Sequence, residues 1–123
     1  MKTVADKLVA AAGPGGIHAA FCDSLEVSGS DWSGYFLAEF KTGRGYDVKP
    51  HLPELVATPK SGAKGIEHDW AQTLSELLEE RFFVPMHEWA QAHHTRLRIQ
   101  GYGTPPATLS ANVHADLNEG EGL

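Results

Sequence analysis

Apolar positions along the chain change their period several times, and each change predicts an element. From Val4 to Ala12 the residues Ala, Val and Leu crowd a short helical stretch, and "GPGG" ends it because proline and glycine block continuation. "IHAAFC" is then a compact apolar run that reads as a buried strand from Ile17 to Ser24. Tyr35, Phe36, Leu37 and Phe40 form one helical stripe, with Asp31 or Ser33 placed to cap its start and "KTGRGY" to stop it. "DVKPHLPEL" predicts a proline-bounded turn into a short helix, and "ATPKSGAKG" an exposed loop.

The longest helical pattern runs from about Ile66 to His93. Trp70, Leu74, Leu77, Leu78, Phe82, Met86 and Trp89 share a stripe, Glu76, Glu79 and Glu80 lie opposite, and Pro85 is expected to kink or divide the helix. "TRLRIQGYG" then alternates Leu97 and Ile99 with Arg96, Arg98 and Gln100, the period of a strand. A turn or helix at "PPATLSA" and a weak strand at "NVHAD" follow. Strands alternating with helices imply an α/β fold with parallel pairing, and the 123 residues suit a single domain.

Composition narrows the function classes. A formal charge of -6 with scattered Lys and Arg disfavours nucleic acid and membrane surfaces as partners. The single cysteine, Cys22, has no internal disulfide partner, and its strand position suits an inert buried thiol. The N-terminal stretch has its apolar run broken by an acid and a second lysine, so no signal peptide is expected and a cytoplasmic location is the default. The glycines of "GPGG" follow a helix and precede a strand, the reverse of a phosphate-binding loop. A Ser/His/Asp hydrolase is disfavoured because no G-x-S-x-G elbow is present.

In parallel α/β folds functional groups gather at the carboxyl ends of strands. The three expected strands end in Asp23, Ser24 and Glu26, in Gln100 and Tyr102, and in His114 and Asp116 followed by Glu119 and Glu121. Carboxylates on separate strand ends suit glycoside hydrolysis, in which one acid protonates the leaving oxygen and another activates water or attacks carbon. Asp23 and Ser24 suit turn and cap chemistry somewhat better than a direct catalytic role, which leaves Glu26 as the stronger candidate. A rival set lies on the long helix, where His87, Gln91 and His94 share a face that would present two imidazoles to zinc in a metal-dependent hydrolase.

Three long stretches resemble glycoside hydrolase family 106, the α-L-rhamnosidases and their bacterial relatives: "AFCDSLEVSGSDWSGYFLAEFKTGRGYDVKPHLPEL", "HDWAQTLSELLEERFFVPMHEWAQAH" and "QGYGTPPATLSANVHADLNEGEG". The resemblance implies a (β/α)8 barrel, an inverting mechanism on rhamnosides, and calcium near the sugar site. It makes Glu26 similar to the family's general acid and places Glu119 and Glu121 in the acidic segment bordering substrate and metal, one of them acting with the base. Gln100 and Tyr102 would line the sugar pocket, with Asp23 beside it. The chain departs from the family pattern at Asn118, where proline is usual, and at His114.

Family members are several times longer, so the expectation is a TIM-barrel segment of about three βα units. Three units cannot close an eight-stranded barrel, and their exposed edges should pair through homo-oligomer formation. A non-catalytic barrel fragment that assembles without turning over sugar is the alternative expectation.

Overall fold

The computed structural model describes residues 4–26, 32–56, 64–102 and 109–120. Among these residues three strands, β1 (Ala19–Cys22), β2 (Arg96–Gln100) and β3 (Leu117–Glu119), form one parallel sheet in the order β1-β2-β3. Five α-helices accompany them: α1 (Val4–Ala12), α2 (Phe36–Arg44), α3 (Leu52–Val56), α4 (Lys64–Leu78) and α5 (Val84–Ala92). None is long and apolar enough to cross a membrane.

The alternation in β2 sorts its residues between two faces. Leu97 and Ile99 are fully buried, whereas Arg96 and Arg98 are exposed. The register aligns Ala20 with Leu97 and Cys22 with Ile99, so these four side chains share the face on which α5 packs. Phe83, Ala90 and Ala111 complete this core, with Leu78, Met86 and Trp89 at its margin. Burial of each large aliphatic side chain contributes about 1.5–3 kcal/mol. Phe21, Arg98 and Leu117 align on the opposite face, which the described helices leave open.

A second core is wholly helical. Phe36 and Phe40 of α2 are fully buried with Val48, and Trp70, Leu74 and Leu77 of α4 pack over them. Tyr35, expected on the same stripe, is instead 75% exposed because it stands at the N-cap of α2 rather than inside it. The start of α2 is held by the Ser33 carbonyl, which accepts the Phe36 N–H at 3.1 Å, and no side chain caps it. Asp31 lies outside the described residues. Gly45 ends α2 with φ of 81°, a left-handed conformation that glycine adopts without a Cβ penalty. Ion pairs of Arg44 with Glu76 and of Arg81 with Glu39 tie α2 to the long helical run.

That run does not stay α-helical as far as Pro85. Residues Glu79–Phe83 form a π turn, and the Val84 N–H reaches back to the Glu79 carbonyl. Pro85 has no N–H to donate, and in α spacing its ring would press on the carbonyl four residues earlier, that of Arg81. A wider turn ahead of it accommodates both demands. The extra residue advances the inward face by one position. Phe83 is therefore buried at 1% exposure while Phe82, expected on the stripe, is 37% exposed.

The third strand also lies later than expected. Residues Leu109–His114 form a 3-10 helix, and the chain joins the sheet only at Leu117. Asp116 makes the junction: its N–H donates to the Leu97 carbonyl at 2.9 Å, and its Oδ2 accepts the Leu97 N–H at 2.8 Å. His114 and Asp116 therefore precede β3 and do not belong to its carboxyl end. At the other margin α1 is anchored through Asp6, which accepts the Trp89 indole N–H at 2.8 Å and pairs with His93 at 3.3 Å.

Candidate active site

Parallel pairing brings the carboxyl ends of all three strands to one edge of the sheet. β1 runs into Asp23, Ser24, Leu25 and Glu26; β2 ends at Gln100, followed by Gly101 and Tyr102; β3 ends at Glu119. Gln100 pairs in register with Glu119, and Cys22 with Ile99, so the middle strand lies between the other two endings.

The Ser24 N–H donates to two acceptors, Asp23 Oδ1 at 2.8 Å and Gln100 Oε1 at 3.2 Å. Asp23 thus serves the turn, while Gln100, 8% exposed, links the first strand's ending to the second. Glu26 is exposed at the end of this turn. Tyr102 is half-buried just past β2. Glu119 Oε2 lies 2.5 Å from Arg98 Nε, and the Arg98 guanidinium sits 5.2 Å from the centre of the Phe21 ring. This row on the open face holds a carboxylate against a cation that itself rests on an aromatic surface. Glu121 lies outside the described residues.

Gly101 is required by the same edge. A Cβ there would lie 2.1 Å from Asn112 Oδ1, and Asn112 Nδ2 donates to the Gly101 carbonyl at 3.4 Å. Beneath the edge, burial pushes the Cys22 thiol above its ordinary value, and the charge of Asp23 adds to this. A thiol held protonated is a poor nucleophile, in keeping with a structural role.

The helix histidines are not gathered as the zinc reading requires. His87 Nδ1 lies 3.7 Å from Asp116 Oδ2, and Gln91 Nε2 donates to Asp116 Oδ1 at 3.3 Å, so these two do share a face. His94 falls beyond the end of α5 with φ of 54° and leaves that face. No group of three or more His, Cys, Asp or Glu side chains among the described residues converges as a metal site. Calcium needs six to eight oxygen ligands. With Glu119 engaged by Arg98, the described strand endings do not fit that ion by themselves.

A sizeable groove lies elsewhere. About 480 Å³ in volume, it is lined by Trp32, Leu52, Leu55, Val56, Glu67 and Trp70, and so belongs to the helical core. Among its described lining residues Glu67 is the one carboxylate, so these residues hold no acid–base pair.

Sequence reasoning missed Arg98 and Asn112, and it took Asp116 for a strand-end acid where the structure makes it a partner of the Leu97 backbone. Arg98 was visible only as a polar position in an alternating strand, since its partner depends on the register between β2 and β3. Asp116 was legible as an acid near a strand, but its backbone-capping role needed the position of Leu97.

A parallel α/β segment with polar groups at its strand endings is a framework on which enzymes of many chemistries build their sites. The chain matches the family model of the α-L-rhamnosidases, glycoside hydrolase family 106, over residues 1–116, and it belongs to that family. It is also 22% identical over 104 residues to a protein of Formosa agariphila named "Putative beta-glucuronidase", an alignment covering 82% of this chain and 9% of that protein. The chain therefore spans a small part of that relative's length.

Proposed function

We propose that the chain forms part of the wall of a glycosidase active site, cleaving a rhamnoside-type bond with Glu26 as general acid and Glu119 or Glu121 as the second carboxylate. The observation that carries this reading is the parallel register. It sets the ending that bears Glu26 and the ending that bears Glu119 on either side of Gln100, in a chain of a glycoside hydrolase family. In an inverting reaction the acid protonates the departing glycosidic oxygen while the base activates water on the opposite face, and the carboxyl groups stand about 6.5–9.5 Å apart to admit that water.

A general acid works best when burial favours its protonated form. Glu26 is exposed in this chain, so that burial would come from further strands or from a second copy packed over the strand endings. Completion of a (β/α)8 barrel would supply such cover. Tyr102 would border the sugar.

The test is turnover of aryl α-L-rhamnosides and a wider glycoside panel by the purified chain and by its Glu26→Gln variant. A loss of about 10²-fold or more in kcat is expected from removing the acid. Unchanged turnover would remove Glu26 from the mechanism.

A second reading, a non-catalytic barrel fragment that assembles with itself, is favoured by the open sheet face bearing Phe21, which is 49% exposed. Assembly without turnover of any glycoside would decide for it.

A further inference from the structure

Gln100 was expected to line the sugar pocket, yet the residue is 8% exposed and its side-chain oxygen already has an internal partner. We propose that Gln100 is a positioning residue, holding the turn that carries Glu26 against the end of the middle strand rather than offering its carbonyl oxygen to substrate. The proposal rests on the reading of Glu26 as general acid.

The chemistry at Ser24 decides which atom of Gln100 is used. A backbone N–H can only donate, so the amide must turn Oε1 toward it. A buried acceptor deprived of its donor is costly, which makes the arrangement self-consistent only while the turn stays in place. Asp23 Oδ1 accepts the same N–H, but it belongs to the adjacent residue and so cannot tie the turn to the sheet. Gln100 comes from a neighbouring strand 76 positions away. On its other side its backbone pairs with Glu119. One residue of β2 thus connects the turn bearing one proposed catalytic carboxylate to the strand bearing the other. Reacting groups must be held to within a fraction of an ångström for efficient turnover, and this tie sets the direction in which the chain leaves β1 toward Glu26.

The test compares Gln100→Met, which keeps length but lacks the acceptor, with Gln100→Glu, which retains it. Amide exchange at Ser24, read by NMR on the full labelled chain, should quicken about fivefold in Gln100→Met and stay near the parent in Gln100→Glu. Gln100→Asn, one methylene too short to reach, carries the same expectation as Gln100→Met should the latter fail to fold. On an aryl α-L-rhamnoside, kcat should fall about tenfold with KM within about twofold, the pattern of lost alignment rather than lost binding. Unchanged Ser24 exchange overturns the proposal, and so does a raised KM with kcat intact, which marks direct sugar contact. If Glu26→Gln leaves turnover unchanged while Ser24 exchange still responds to Gln100→Met, the role of Glu26 fails and the tie itself stands.

Discussion

Asn112 fills the space that a side chain at position 101 would need, and the consequence is measurable. Gly101→Ala should cost about 1–3 kcal/mol in urea unfolding, because the new Cβ would overlap Asn112 Oδ1. The Asn112→Ala background should return part of that loss, since it removes the obstacle. Tyr46 offers a residue-scale test by pH. Burial first, then its hydrogen bond to Asp69 Oδ2 at 2.7 Å and the charge of Asp69, push the phenol from 10.0 up to about 12. The folded value lies above the unfolded one, so the stabilising contribution is complete below pH 10.0 and is lost as pH rises toward about 12. Spectrophotometric titration should find a late-titrating tyrosine signal that is lost in Tyr46→Phe. Arg98 is 47% exposed in its side chain, so Arg98→Met should change stability by less than about 1 kcal/mol. If Glu119 is the second carboxylate, the same variant should shift the pH profile of turnover, because it removes the cation beside that group.

At the scale of elements, the π turn is a one-residue insertion that rotates everything after it. Deleting the exposed Glu80 should restore α spacing and press the Pro85 ring on the Arg81 carbonyl, so a loss of about 3 kcal/mol is expected by urea denaturation although Phe83 stays inward. Phe83→Ala should cost about 3–5 kcal/mol, and Phe82→Ala much less, because only Phe83 lies in the core. The pair shows what was legible in the chain and what was not. The helix, its apolar stripe and the disturbance at Pro85 were readable from spacing, but the displaced turn was not, because proline specifies which bonds are forbidden and leaves open where the backbone absorbs them. The strand β2 was readable from its alternation. The start of β3 was not, since it depends on Asp116 meeting the Leu97 backbone, a contact between distant parts of the chain. The strand endings were legible as candidate chemistry, whereas the internal engagement of Gln100 and Glu119 required the register.

At the scale of the whole molecule, the described residues leave the sheet open on the face of Phe21 and Arg98, and in the order β1-β2-β3 each outer strand has a single strand neighbour among them. Edges of this kind pair readily with further strands. Light scattering or sedimentation of the chain is expected to find an assembly larger than one copy, and a clean monomer would count against it. The parallel topology also orders events in time. Thr95 donates through its hydroxyl to the Ile17 carbonyl, a contact 78 residues apart in the chain, and β1 gains its sheet partner at that same junction. Closing so wide a loop is entropically costly. The helical cluster of Phe36, Phe40 and Trp70 closes over shorter separations. A ribosome delivering this chain from its N-terminus would therefore release β1 long before β2 exists, leaving an apolar strand unpaired through most of synthesis, when aggregation competes most directly with folding.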